Sequence, residues 1–300
     1  MQIVTEGLRV PEGPVVMDDG SVLVVEVMGG VLTRVRPDGA KQTVAELGGG
    51  PNGAAIGPDG AVYVCNNGGL AMTWAEGRLT SYGPSPNSIG GRIQRVDLAT
   101  GRFETLYDSC DGRPLAAPND IVFDRAGGFW FTDSGRGFDT HKEWGALYYA
   151  QPDGSKITRV RERQPLPNGV GLSPDQDWVY MVDSMTVSVW GCELEAPGVL
   201  KHNRVPAWTG RIVGRQAEFG GLDSMATEAD GRICVASSFG SVAVMTPGGG
   251  LENVPVPDVM PTNICFGGAD MRDAWITAGA GGRLLKTRWP RPGARLSFYA

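Results

Sequence analysis

Leu166-Pro167-Asn168-Gly169-Val170-Gly171-Leu172-Ser173-Pro174-Asp175-Gln176-Asp177-Trp178-Val179-Tyr180-Met181-Val182-Asp183 holds, in order, a proline, an amide, a short apolar run, an acidic turn and a second apolar run. Short runs rich in β-branched and aromatic residues, joined by a tight polar turn, predict a β-hairpin. The same outline recurs along the chain. It begins at Pro11-Glu12-Gly13-Pro14-Val15-Val16, Pro51-Asn52-Gly53-Ala54-Ala55-Ile56 and Pro118-Asn119-Asp120-Ile121-Val122-Phe123, and again at Gly221-Leu222-Asp223-Ser224-Met225-Ala226 and Pro261-Thr262-Asn263-Ile264-Cys265-Phe266. Turns follow at Asp19-Gly20, Asp59-Gly60, Gly127-Gly128, Asp230-Gly231 and Asp270 to Asp273. Second strands are expected at Val22–Val25, Val62–Cys65, Phe129–Thr132, Val179–Val182, Ile233–Ala236 and Ala274–Thr277, with third strands at Arg92–Val96, Ala146–Tyr149 and Arg283–Thr287.

The copies start about 40 to 67 residues apart, a period that suits four-stranded propeller blades with loop insertions in the longer intervals. The fold expected is therefore all-β, a six-bladed β-propeller in one domain over residues 1–300. A sandwich of many short strands would not explain six copies of one outline. Either Ile3–Val4 or Leu296–Tyr299 completes the blade at which the ends meet.

Composition narrows the chemistry. The 45 glycines lack a collagen period and stand beside 41 % hydrophobic residues, which excludes both collagen and disorder. His141 and His202 are the only histidines, so a multi-histidine zinc site is excluded. No G-x-S-x-G elbow supports a serine hydrolase. A net charge of −6 without a basic run argues against nucleic acid and anionic membrane surfaces as partners. The five cysteines are scattered without C-x-x-C; Cys65, Cys234 and Cys265 lie in apolar runs and read as buried hydrophobes. With neither a leader-like start nor a long apolar stretch, the expected location is cytoplasmic.

In a propeller the first strand of each blade lines the axis, so one repeat-equivalent position makes a ring. Here the ring is Glu12, Asn52, Asn119, Asn168, Asp223 and Asn263, all oxygen donors. Asn before Gly is also ordinary turn chemistry, which covers Asn52 and Asn168 but not Glu12 or Asp223. Buried carboxylates and amides without a counter-charge are costly, and one divalent cation on the axis removes that cost. Oxygen ligands suit Ca2+, Mg2+ or Mn2+, with Fe2+ and Zn2+ also admissible.

These residues resemble the SMP-30/gluconolactonase (regucalcin-like) family and, more distantly, the diisopropylfluorophosphatases. The resemblance runs from Pro11-Glu12-Gly13-Pro14 to Cys265-Phe266-Gly267-Gly268, through Pro118-Asn119-Asp120, the Pro167-Asn168-Gly169 segment and the surroundings of Asp223. It implies a six-bladed propeller with one catalytic divalent metal, whose ligands fall on Glu12, Asn119, Asn168 and Asp223. Animal members carry an arginine two residues before the third-blade Asn, where it contacts the sugar; Ala117 stands there in this chain. Leu70, Met72, Trp74 and Tyr82 in the insertion Gly68–Gly91, with Trp144 and Met185, are candidates to line the mouth for a less polar lactone, or simply to pack loops onto the blades.

The expected function is metal-dependent hydrolysis of a lactone, a sugar (aldono-) lactone or related small lactone, with the ion polarising the carbonyl and activating water. Asp223 is the expected general base, a role Asp120 can share or replace. Asn52, Asn66, Asn67 and Asn263 are candidates to position substrate, as is Asp120. His141 is either a proton shuttle or an exposed loop residue, and His202 has less claim. The competing readings are a phosphotriester or organofluorophosphate hydrolase on the same site, and a non-catalytic calcium-binding propeller. The sequence leaves the oligomeric state open.

Overall fold

In the strand Val22–Glu26 the run Val22–Val25 is apolar at every position because both faces of the strand are covered. Alternate residues of a strand point to opposite faces. Leu23 and Val25 join a cluster with Val62 and Val64 of the next repeat, while Val22 and Val24 join Trp275 and Leu284 of the last one. Tyr63 and Cys65 turn the other way, toward Phe129 and Phe131. Further clusters pair the third repeat with the fourth, the fourth with the fifth, and the fifth with the sixth. Each gap between neighbouring sheets thus has its own core, and the sixth gap closes the circle.

The computed structural model describes residues 1–75, 78–201, 210–216 and 221–299. Among the described residues there are six antiparallel sheets of four or five strands, besides the two-stranded pairs Leu70–Ala75 with Arg78–Pro84 and Ser109–Cys110 with Arg113–Pro114. Blade 1 is Pro11–Val16, Val22–Glu26, Val31–Val35 and Lys41–Glu46; blade 2 is Pro51–Ile56, Val62–Asn66, Arg92–Val96 and Phe103–Tyr107. Blade 3 is Pro118–Phe123, Phe129–Asp133, Gly145–Ala150 and Ile157–Gln164. Blade 4 runs Pro167–Leu172, Trp178–Asp183 and Ser188–Ala196, and its third strand pairs outward with both Val199–Leu200 and Arg211–Arg215. Blade 5 is Leu222–Thr227, Ile233–Ser237, Ser241–Met245 and Leu251–Pro255; blade 6 is Pro261–Gly267, Asp273–Ala278, Arg283–Arg288 and Gln2–Thr5. The six inner strands touch one another in cyclic order, the last against the first. This is the arrangement of a six-bladed propeller.

The amino-terminal strand completes blade 6, with Ile3 opposite Leu285. That settles which end closes the ring. The carboxy-terminal residues instead cross the face where the first and second strands turn. Ala294 N donates to Thr227 O, Gln176 Nε2 to Ser297 Oγ across 2.9 Å, and the Phe298 ring meets Phe123 edge-on at 5.8 Å.

The expected turns form as hairpins, closed by bonds such as Gly57 N to Ala61 O and Glu228 N to Arg232 O. Asp19, Asp59, Asp175 and Asp230 each accept a backbone N–H two residues on, the turn role of a short acidic side chain. Cys65 and Cys234 are buried free thiols, and Cys265 is half-buried and also free. Among the described residues no helix is long and apolar enough to cross a membrane.

Candidate functional site

Every inner strand breaks register with its neighbour at the polar position of the repeat. The irregularities fall between Glu12 and Val15, Pro51 and Gly53, Pro118 and Ile121, Pro167 and Val170, Leu222 and Met225, and Pro261 and Asn263. An extra residue at such a bulge re-aims its side chain out of the strict strand alternation. Six bulges at one level turn Glu12, Asn52, Asn119, Asn168, Asp223 and Asn263 toward a common region.

The backbones meet closely there. A Cβ on Gly53 would lie 2.6 Å from Asn119 O and from the Asp120 Cα, and one on Gly169 would lie 2.8 Å from the Ser224 Cα. Glycine after the amide therefore lets adjacent inner strands touch. Blade 3 has Asp120 at that position. Its Oδ2 accepts from Val170 N of blade 4 at 3.1 Å and its Oδ1 from Ile121 N at 3.0 Å.

Hydrogen bonds lace the ring together. Asn263 Nδ2 donates to Glu12 Oε2 at 2.8 Å, and Gly13 N donates to the same oxygen at 2.6 Å. Asn52 Nδ2 donates to Asn119 O at 3.3 Å, and Asn67 Nδ2 reaches Asn52 Oδ1 at 3.5 Å. Asn168 hydrogen-bonds the Asp223 carboxylate, and Ser224 Oγ donates to Asn168 Oδ1 at 3.4 Å. Glu12 Oε1 and Asn119 Oδ1 are buried without a hydrogen-bond partner.

Burial and crowding shift the acids. Glu12 lies well above the ordinary range, first because it is buried and then because Asp223 and Asp120 carry like charge beside it. Burial lifts Asp120 to about 7 against the N–H groups of Val170 and Ile121. Asp223 also rises to about 7, by burial and by the charge of Asp120, opposed by its bond with Asn168. Among the described residues no three His, Cys, Asp or Glu side chains gather as metal ligands. A cation here would need the amide oxygens as well as the carboxylates.

A second polar tier surrounds the first. The strands expected to stop at Val25, Cys65, Thr132, Val182 and Ala236 each run one residue further, to Glu26, Asn66, Asp133, Asp183 and Ser237. Asp133 accepts the N–H groups of Ala116, Ala117 and Gly135; Asp183 accepts those of Leu166 and Thr186. Asn66 binds Gly50 N and Gly68 N through Oδ1 and Gln94 Oε1 through Nδ2. Asn66 thus clamps the loop that enters its blade to the insertion that follows its own strand. Strand prediction from apolar residues alone stops short of this tier.

The remaining candidates separate. Asn67 reaches the ring, as above. His141 is exposed and stacks on Phe138 at 4.5 Å in its own loop, 3.5 Å from Thr140 Oγ1. Trp144 and Met185 are exposed, and Leu70 and Met72 are half-buried on the hairpin Leu70–Ala75 with Arg78–Pro84. His202 and the side chains of Trp74 and Tyr82 lie outside the described residues.

Comparison with known proteins agrees with this architecture. Residues 10–280 match the model of the SMP-30/gluconolactonase/LRE-like region. A lactonase, drp35, of Staphylococcus haemolyticus is 30 % identical over 201 residues, 66 % of this chain and 55 % of that protein; the chain spans about half of that relative. The gluconolactonase of Zymomonas mobilis is 23 % identical over 293 residues, 89 % of this chain and 76 % of that protein. The structure of regucalcin from Agrobacterium tumefaciens, described as a calcium-binding protein, superposes with a TM-score of 0.74 at 20 % identity, covering 98 % of this chain and 97 % of the other. The chain belongs to the SMP-30/gluconolactonase/LRE-like family.

Proposed function

We propose that this member of the SMP-30/gluconolactonase/LRE-like family is a divalent-metal-dependent lactonase acting on a small lactone. Its relatives named as lactonases and a gluconolactonase support the reaction class. The observation that carries the metal is the pair of buried oxygens without partners, Glu12 Oε1 and Asn119 Oδ1, set among mutually repelling carboxylates. Buried polar atoms are nearly always satisfied, by protein, water or an ion. Here both orphans are acceptors, and only a cation or a donor quiets them.

The residues that would hold the ion are Glu12, Asn119, Asn168 and Asp223, an all-oxygen set suited to Ca2+ and open to Mg2+, Mn2+, Fe2+ or Zn2+. When bound, a divalent ion supplies a Lewis acid for the lactone carbonyl and acidifies water. The chain's own residues do the rest. Asn263 fixes Glu12 so that Oε1 is left for the axis. Asn67 and Asn52 form a relay that holds the backbone of Asn119. Asp223 is the proposed base, receiving the proton of the attacking water on a carboxylate oxygen. Asp120 lies outside the ligand set, and burial lifts it to about 7 against the N–H groups on its two oxygens, which makes it the proposed second proton acceptor.

The test is a panel of aldono-, pentono- and alkyl lactones, followed by pH indicator, with each ion added to chelated protein. Turnover that vanishes on chelation, returns with metal and is lost in Asp223→Ala and Asn168→Ala supports the reading. Full turnover after chelation or in either variant overturns it. Activity on phosphotriesters with none on lactones would assign the site to the rival hydrolase.

A further inference from the structure

The tight turns leaving the second strands carry a further repeat-equivalent position, two residues past the polar tier. In blades 1, 4 and 5 it is Met28, Met185 and Phe239, exposed by 38, 47 and 45 %. In blades 2 and 3 the position is Gly68 and Gly135, both with positive φ, and each opens an insertion. Those insertions bring Ile89, Phe138 and Trp144, the last 63 % exposed. The loops stand at the end of the blades where the polar ring lies, because the first residue of each inner strand pairs with the last residue of its second strand, as Pro11 does with Glu26 and Pro167 with Asp183. The insertions also meet: a Cβ on Gly83 would touch Gly137 O at 3.1 Å.

Five successive blades therefore each set a large apolar side chain into solvent at the end of the propeller where the polar ring lies. Scattered singly, exposed apolar residues need no explanation; grouped around a site they mark what the site receives. Polar capacity at the mouth is already engaged. Asn263 gives Nδ2 to Glu12 and Oδ1 to Ile264 N, and Asn52 and Asn67 bond each other and the backbone. The cations of the blade 3 loop are turned onto carbonyls, Arg136 Nε to Ala116 O at 2.9 Å and Lys142 Nζ to Ser134 O at 2.9 Å. Ala117, small and buried, offers nothing to a hydroxyl.

We propose that this apolar collar selects lactones carrying a hydrocarbon substituent over polyhydroxylated ones, the ring being taken by the polar site and the substituent by the collar. The inference rests on the lactonase reading for its kinetic test. The first experiment compares γ-lactones of increasing alkyl length with an aldonolactone in the metal-loaded protein. The expected result is kcat/KM rising about two- to fourfold per methylene until the chain outgrows the collar, as partial to full burial of each CH2 requires. In Met185→Ser and Phe239→Ser, both on the surface, that slope should fall. In Leu251→Ser, exposed on the outer strand of blade 5, it should match the wild type. Turnover of aldonolactones with a flat alkyl series overturns the collar and leaves the lactonase reading standing.

A second readout does not need turnover. Non-hydrolysable alkyl lactams should bind with affinity that rises with chain length and should blue-shift the emission lost in Trp144→Phe. Chain-length-independent binding overturns the proposal. So does a wild-type dimer that Phe239→Ser converts to monomer, since the collar would then be covered by a second copy.

Discussion

Asn263 and Glu12 join the last inner strand to the first through a 2.8 Å bond from Nδ2 to Oε2. The bond lies where a propeller must close, and it is also the bond that orients a carboxylate at the axis. Closure of the fold and construction of the site are thus the same contact. Thr262 Oγ1 adds a second tie beside it, donating to Pro11 O at 2.7 Å.

Asn263→Ala should therefore weaken metal binding without dismantling the ring. Removing an outer partner of a metal ligand typically costs about 10- to 100-fold in affinity. Isothermal titration of Ca2+ or Mn2+ into chelated protein reads the change, with circular dichroism as the control for fold. Wild-type affinity in the variant would separate Glu12 from the metal.

The crowded acids give the metal-free protein an unusual pH response. Asp120 and Asp223 are raised to about 7 from 3.8, so between those values the folded chain binds more protons than the unfolded one. Stability then falls as pH rises through this window and levels off above it. A bound divalent ion favours the charged carboxylates and should reverse the loss at pH 7.5 and above. Urea midpoints at pH 4.5, 6 and 7.5, in chelator and in excess Ca2+, test both signs. Asp120→Asn should flatten the chelated curve; a wild-type midpoint that climbs across the window without metal, and does so equally in Asp120→Asn, contradicts the argument.

Two glycines of blade 2 should respond differently to the same change. At Gly53 a Cβ would sit 2.6 Å from backbone atoms of blade 3, whereas at Gly60 nothing lies within 4 Å and only the φ of 73° is unfavourable. Gly60→Ala should cost about 1 kcal/mol from backbone strain. Gly53→Ala forces two blades apart and should cost about 3 kcal/mol or more. Chemical denaturation of the pair decides it, and equal losses would mean that the inner strands can yield.

The repeat was legible because both of its marks are local. Pro167-Asn168-Gly169 and its copies carry the bulge chemistry, and continuous runs such as Val22–Val25 record strands covered on both faces. The six ring positions followed from period alone. What escaped was set by partners distant in sequence. Glu26 and Asp183 fall just past the apolar runs Val22–Val25 and Val179–Val182, and only their pairing with Pro11 and Pro167 places them in the sheet. Asn52 and Asn67 read as candidates to position substrate, and the contact of Asn67 Nδ2 with Asn52 Oδ1 has no sign in the sequence. Closure by Gln2–Thr5 rather than Leu296–Tyr299 depends on an edge strand mostly exposed to solvent, which has no hydrophobic pattern to announce it.

The carboxy-terminal segment is held by a buried acid far from the polar ring. Glu228 has no exposed side-chain surface; its Oε1 accepts Trp289 Nε1 at 2.6 Å and Arg291 Nη2 at 3.0 Å, and its Oε2 pairs with Arg291 Nε. Burial pushes its pKa up, but the bonds from Arg291, Trp289 and Cys234 outweigh it and hold the acid below its ordinary value. The clasp is therefore strongest above the ordinary glutamate pKa and is lost as pH falls through the lowered one. Glu228→Ala leaves the Trp289 N–H buried without an acceptor and Arg291 without its partner, a loss of about 2–4 kcal/mol. Glu228→Gln keeps an acceptor for Trp289 and should lose less. Because residues 294–297 close one end of a cavity of about 100 Å3 whose walls include Asp120 and Asn263, freeing the segment should also admit solvent from that side. Hydrogen exchange at Val170 N, which donates to Asp120, should then quicken in Glu228→Ala at a urea concentration well below its midpoint. Unchanged exchange there, with the midpoint lowered, would make the segment a stabilising strap and not a seal.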